Sequence, residues 1–221
     1  MRVVIVDDQQ LMRRGLTMLL GTEDGIEVVG EAGHGREALA VVATSRPDVV
    51  LTDAQMPVMG GVELVAELRR VHPELPVIIL TTFDDDDLVR RAIAAGAAGF
   101  LLKDSSTTDL VHAIKAVADG GLVIDPRVAR AALSRPSADQ SPARVDTSPL
   151  AVLTRAERAV ATEVATGATN SEIAATLVIA EGTVKNHVSA LLRKLGQRDR
   201  TALALLLARY LVPRDMGSSP S

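Results

Sequence analysis

The sequence predicts an α/β domain followed by an all-α domain. Three observations carry this reading. Strand and helix patterns alternate five times through the first 125 residues. A stretch rich in Pro and Ser then breaks the pattern, and after it only helical periodicity returns. Five strand–helix units, (βα)5, read as a central parallel five-stranded sheet with helices on both faces. The last part reads as four helices.

The elements follow in order. Arg2–Val6 is an apolar run that ends in two acids and reads as a strand. Leu11–Leu20 has apolar residues at helical spacing. Glu27–Ala32 is a strand, and Gly35–Ser45 a helix stopped by Arg46-Pro47. Val49–Thr52 is the central strand, its apolar run typical of burial on both faces. Val62–Val71 is a helix closed by His72-Pro73; Val77–Leu80 is a strand; Asp84–Ala95 is a helix ending at Gly96. Gly99–Leu102 and Thr107–Ala118 complete the fifth unit. Asp125-Pro126 reads as a cap with Pro at the first helical position, opening a short helix to about Leu133. Ser134–Pro149 holds three Pro and four Ser without apolar periodicity and reads as a flexible linker. Helices are expected at Arg155–Thr166, Ser171–Leu177, Glu181–Leu195 and Asp199–Tyr210, before a polar tail. Thr154 with Glu157 has capping-box spacing, and Asn170 is a candidate cap for the next helix. The expected organisation is 1–120 for the α/β domain, 121–150 for helix and linker, 151–212 for the helical domain and 213–221 for a disordered tail.

Composition narrows the functions. The 221 residues are 47% apolar, enough for a packed core, but only 1% aromatic. Stacking platforms for single-stranded nucleic acid need aromatics, so that class is disfavoured. The absence of Cys excludes disulfides and thiolate metal sites. No long apolar window lacks charge, so no membrane span is expected. The N-terminus does not read as a signal peptide, and a cytoplasmic location is expected. The net charge of −4 is uneven. Residues 1–133 hold 13 basic against 20 acidic residues, a net of −7, whereas 151–221 hold nine against six, a net of +3. Two domains with different partners suit that asymmetry.

The expected sheet edge collects chemistry. Asp7 and Asp8 follow the first strand, Asp53 the third, Thr81 and Thr82 the fourth, and Lys103 the fifth. Parallel strands bring their carboxyl ends to one edge, where open α/β sheets place ligand sites. Crowded carboxylates are costly unless a cation neutralises them. Oxygen donors without His or Cys select a hard cation, Mg2+ foremost. A metal-bound carboxylate at Asp53 can attack phosphorus while Lys103 and a hydroxyl hold the transferred oxygens. The acids Asp84 to Asp87 read as helix-opening residues that complement the dipole, not as a metal site. His34, His72 and His112 read as surface or structural residues.

The segments Ile-Val-Asp-Asp-Gln, Leu-Thr-Asp-Ala-Gln-Met-Pro, Ile-Leu-Thr-Thr-Phe and Ala-Gly-Phe-Leu-Leu-Lys-Asp resemble the signature of bacterial response-regulator receiver domains, over roughly residues 1–120. That resemblance implies a strand order of 2-1-3-4-5, an order for which receiver proteins are a standing example. It also implies that Asp53 is the phosphoacceptor. Asp7 and Asp8 then hold Mg2+, Asp8 directly, with the backbone carbonyl of Gln55 as a further ligand. Thr81 and Lys103 bind the phosphoryl oxygens, and Phe100 is the aromatic switch that turns inward when Thr81 moves. Asp104 follows Lys103 where many receivers have Pro. Gln55 and Phe83 fall where the family tunes phosphoryl lifetime.

Ser171–Leu177 and Glu181–Leu195 are separated by three residues, the helix-turn-helix plan. On the longer helix Val184, Val188, Leu191, Leu192 and Leu195 form an apolar face, and Lys185, Asn186, Ser189 and Arg193 lie on another. Glu-Gly-Thr-Val-Lys-Asn-His-Val closely resembles the recognition helix of LuxR-type domains, so the whole chain resembles the NarL/FixJ subfamily of response regulators. The resemblance implies that Lys185, Asn186 and Ser189 read bases or phosphates and that Thr183 and His187 touch the DNA backbone. The last helix, with Leu203, Leu206, Leu207 and Tyr210, resembles the element through which such domains pair on DNA. The implied protein is a two-component transcriptional regulator rather than an enzyme. The resemblance implies that a sensor histidine kinase phosphorylates it and that, when phosphorylated, it binds double-stranded half-sites as a homodimer. The alternative is a regulator whose receiver is never phosphorylated and acts as an interaction module.

Overall fold

A computed structural model describes residues 1–82, 86–125 and 149–211. The start of the expected Asp84 helix, the expected helix after Pro126, most of the linker and the tail fall outside the described residues. The chain divides into two compact units, Met1–Ser141 and Pro142–Ser221.

In the first unit β1 (Arg2–Val6), β2 (Glu27–Ala32), β3 (Val49–Asp53), β4 (Val77–Thr81), β5 (Gly99–Leu102) and β6 (Val123–Ile124) form one parallel sheet, in the order β2-β1-β3-β4-β5-β6. The helices are α1 (Gln10–Leu20), α2 (Gly35–Ser45), α3 (Gly61–Val71), α4 (Asp86–Ala95) and α5 (Thr107–Ala118). The order 2-1-3-4-5 is as expected. The sheet is one strand wider than the five expected. Val123 and Ile124 run beside Gly99 and Phe100, and the Asp125 amide donates to the Phe100 carbonyl at 2.9 Å. A two-residue strand carries no periodicity, so its pairing comes from the exposed edge of β5 and not from local pattern.

Both faces of the sheet are covered, which is why the inner strands are apolar at nearly every position. Val4, Val6, Val50, Ile79, Phe100 and Leu102 pack beneath α2, α3 and α4. Val3, Ile5, Val49, Leu51, Ile78 and Leu101 pack beneath α1 and α5, against Leu16, Leu20, Leu110 and Ile114. The strand period of two assigns alternate residues to the two faces. Helix starts are fixed locally. The His34 side chain caps α2 by accepting from the Glu37 amide, and Ser106 caps α5 by accepting from the Asp109 amide.

The second unit opens with a 3-10 turn, Pro149–Val152, followed by α6 (Arg155–Ala165), α7 (Asn170–Leu177), α8 (Glu181–Lys194) and α9 (Arg200–Leu211). Thr154 and Glu157 form the expected capping box. For α7 the cap is Thr169, paired with Glu172 in a second capping box, and not Asn170. Asn170 is buried, and its Oδ1 accepts from Arg200 Nη1 at 3.0 Å, tying α9 to the start of α7. The turn between α7 and α8 passes through Val178 at φ 55°, a left-handed conformation that costs a β-branched residue about 1–2 kcal/mol. The side chain of Val178 is left exposed there. Val160, Val164, Ile173, Val184, Leu191, Leu203 and Leu207 are buried. They leave the polar face of α8 outside.

Candidate functional site

All strands of the first unit run parallel, so their carboxyl ends share one edge. Asp7 follows β1, Asp53 ends β3, Thr81 ends β4 and Lys103 follows β5. Asp7, Asp53 and Thr81 are buried, and Asp8 is exposed at the rim. Lys103 binds the pocket together. Its Nζ lies 2.9 Å from Asp7 Oδ2 and 2.9 Å from Asp53 Oδ2, with only 11% of its side chain exposed. The backbone completes the fixing of the acids. The Gln9 amide donates to Asp7 Oδ1 at 2.8 Å, and the Gln55 amide approaches Asp53 Oδ1 at 3.4 Å.

The electrostatics follow from that crowding. Burial pushes the Asp53 carboxyl above its usual value, and the nearby Asp7 charge adds to this. The Lys103 ammonium and the Gln55 amide pull the other way without cancelling it. Burial alone would lower Lys103, but its hydrogen bonds to Asp7 and Asp53 and their charges hold the ammonium above its usual value.

One ligand atom each from Asp7, Asp8 and Asp53 lies within 4.8 Å of the others. The set is oxygen only, which fits a hard divalent cation held by few protein ligands. Gln55, whose carbonyl was expected as a further ligand, is exposed at the same loop.

Phe100 is fully buried on the face that carries Ile79 and, by strand alternation, Thr81. Its ring thus already occupies an inward position in this structure. Phe83 lies outside the described residues.

Sequence reasoning missed two features of the pocket. Gly61 opens α3 directly against Asp53: a Cβ there would collide with the Asp53 carbonyl oxygen. The Gly60-Gly61 pair signalled a turn, but nothing in the pattern gave the close approach. Arg13, six residues beyond Asp7, donates through Nη1 to the Asp7 carbonyl at 2.6 Å. Its helical position showed only that it lay on α1.

In the second unit Thr183, Lys185, Asn186 and Ser189 are exposed on α8, and His187 is half-buried. The opposite face buries Val184, Val188 and Leu191. The far end of α8 is anchored: Lys194 Nζ donates to Glu157 Oε2 at 2.7 Å. Glu157 also accepts from the Thr154 amide at 2.8 Å, and these bonds lower its carboxyl to about 2. On α9, Leu203 and Leu207 are buried inside the unit, and Tyr210 is exposed. Among the described residues, no helix is long and apolar enough to cross a membrane.

Residues 3–115 match the response regulator receiver domain family, and residues 151–207 match the luxR family of bacterial regulatory proteins. The chain is 39% identical to the DNA-binding transcriptional activator DevR/DosR of Mycobacterium tuberculosis, over 99% of both chains. It is 42% identical to the nitrate/nitrite response regulator protein NarP of Escherichia coli, over 93% of each. The crystal structure of ChrA, a response regulator of a heme-sensing two-component system, aligns with a TM-score of 0.54 at 35% identity, covering 94% of this chain and 96% of that one. An α/β sheet with an acidic edge, joined to a helix-turn-helix unit, defines a transcriptional response regulator. The chain belongs to the response-regulator family that couples a receiver domain to a LuxR-type DNA-binding domain, the group that includes the NarL and NarP regulators.

Proposed function

We propose that the chain is switched by phosphorylation of Asp53. A sensor histidine kinase presents a phosphohistidine; its P–N bond breaks as an Asp53 carboxylate oxygen forms the new P–O bond. The observation that carries this reading is Lys103 Nζ poised 2.9 Å from both Asp53 and Asp7. An ammonium so placed stabilises charge on the transferred oxygens in a site shielded from water. Mg2+, held by the carboxylates of Asp7, Asp8 and Asp53 and the backbone carbonyl of Gln55, would supply charge neutralisation for the acids and the phosphoryl group. Thr81, at the end of β4, would bond a phosphoryl oxygen with its hydroxyl.

Phosphorylation adds roughly −1.5 to −2 charges at that edge. Thr81 is drawn toward them, and the packing beside Phe100 on the same sheet face changes with it. The output is a homodimer on two DNA half-sites, with Lys185, Asn186 and Ser189 facing bases or phosphates and Thr183 and His187 the backbone. A helix-turn-helix presents its second helix to the major groove in this way. The functional boundaries accompanying this reading are 1–120, 121–150, 151–212 and 213–221, in a cytoplasmic protein.

Intact-mass measurement after incubation with Mg2+ and acetyl phosphate tests the chemistry. One added phosphoryl group is expected, absent in Asp53→Asn and absent when EDTA removes the cation. Failure of the wild-type chain to take up phosphate from this donor or from any histidine kinase would favour the second reading, an interaction module that is never phosphorylated.

A further inference from the structure

Asp7 is held at every polar group. Its amide donates to the Ala32 carbonyl at 3.1 Å, Oδ1 accepts from the Gln9 amide and Oδ2 from Lys103. Its carbonyl accepts from Arg13 Nη1 at 2.6 Å. That carbonyl belongs to the peptide shared with Asp8. A peptide unit is planar and turns as one body, so holding the Asp7 oxygen restrains the Asp8 amide and the N–Cα bond about which the Asp8 side chain turns. Asp8 is exposed, with a carboxylate oxygen within 4.8 Å of those of Asp7 and Asp53.

Arg13 is itself held. Its Nε lies 3.6 Å from Glu31 Oε2, an ion-pair distance, and Thr17 donates to Glu31 Oε1 at 2.9 Å. The Arg13 side chain, 18% exposed, thus bridges α1, β2 and the loop that carries both acids. A positive charge beside a cation site should weaken cation binding, so its net effect depends on what it does to geometry.

We infer that Arg13 is a positioning residue for the cation: through the Asp7 carbonyl it sets the Asp7–Asp8 peptide so that the two carboxylates converge with Asp53. This rests on the reading of that site as a Mg2+ pocket. Groups that orient metal ligands from behind typically contribute about 10–100-fold to affinity. A charge-assisted bond to a backbone carbonyl acts in the same way.

The sign of the effect separates geometry from charge. Mg2+ is titrated into the full chain by calorimetry at one pH, for wild type, Arg13→Met and Arg13→Lys. Positioning predicts affinity about tenfold weaker in Arg13→Met. It predicts a loss in Arg13→Lys as well, since a point charge replaces the planar fork. Simple electrostatics predicts tighter binding in Arg13→Met and no change in Arg13→Lys. With acetyl phosphate as donor, the half-saturating Mg2+ concentration rises in both variants. A residue that only stabilises the fold would lower the melting temperature without moving that midpoint. Unchanged or tighter Mg2+ binding in Arg13→Met overturns the inference. Absence of any wild-type Mg2+ binding that Asp8→Asn abolishes overturns instead the reading of the site, and this inference with it.

Discussion

Gly61 stands so close to Asp53 that a Cβ on the glycine would meet the aspartate's backbone carbonyl oxygen. The Gly61 amide meanwhile donates to the Ala54 carbonyl at 3.0 Å, so α3 begins pressed against the end of the strand that carries the proposed phosphoacceptor. Helix propensity alone would favour Ala there by about 1 kcal/mol. Overpacking at a rigid backbone contact costs about 1–3 kcal/mol. Gly61→Ala is therefore expected to lower the urea midpoint and to weaken Mg2+ binding, because relief of the clash must move Asp53. A variant as stable and as Mg2+-competent as wild type would show that the loop gives way elsewhere.

The raised Asp53 pKa has a sign that can be worked out. A carboxyl that is harder to ionise in the folded chain costs stability wherever it is ionised, above its folded pKa. That cost disappears as the pH falls below the ordinary value near 3.8. Asp53→Asn is thus expected to be more stable than wild type at neutral pH without a divalent cation, with the gap closing in acid. Added Mg2+ should stabilise wild type and leave the variant unmoved. Melting temperatures with and without Mg2+ across that pH range provide the check.

Glu157 has the opposite sign. Its carboxyl lies near 2 against an ordinary 4.5, because Lys194 and Thr154 donate to the ionised form. The stability it contributes is complete above about 4.5 and is lost as the pH falls through about 2. Glu157→Gln keeps a capping-box residue at this position, so the helix start survives. In that variant the acid-dependent loss at α6 and α8 should largely vanish, as followed by NMR signals from those helices during urea unfolding. A wild-type acid response in the variant would place the titrating group elsewhere.

On α8 the exposed Lys185 is expected to face phosphate or a base edge. For a phosphate contact, Lys185→Ala should weaken binding about equally across duplex sequences. It should also reduce the slope of log affinity against log salt by about one. For a base contact, the loss would concentrate at one position of the half-site. Undiminished affinity and slope would remove Lys185 from the interface.

How much of this was legible in the sequence depends on where the cause lies. The apolar runs of β1, β3, β4 and β5 and the helical spacing between them gave the architecture, because burial on both faces writes itself into each strand. Asp7, Asp53, Thr81 and Lys103 could be placed together because strand ends in a parallel sheet share an edge. The two-residue β6 was invisible, since its partner is chosen by the open edge of β5 and not by its own pattern. Thr169 with Glu172 carries the capping-box spacing, but Asn170 beside it is also a good capping residue; the structure gives the cap to Thr169 and the Asn170 side chain to Arg200. Arg13 was unreadable for a related reason: its partner is a backbone carbonyl, which has no signature in sequence.

Modification of Asp53 is proposed to drive assembly. Light-scattering mass of the full chain, before and after Mg2+ and acetyl phosphate and beside Asp53→Asn, tests it most directly. A monomer is expected to become a dimer on phosphorylation, with the variant remaining monomeric under the same treatment. A wild-type chain that is fully phosphorylated yet unchanged in mass, or a variant that dimerises equally well, would contradict it.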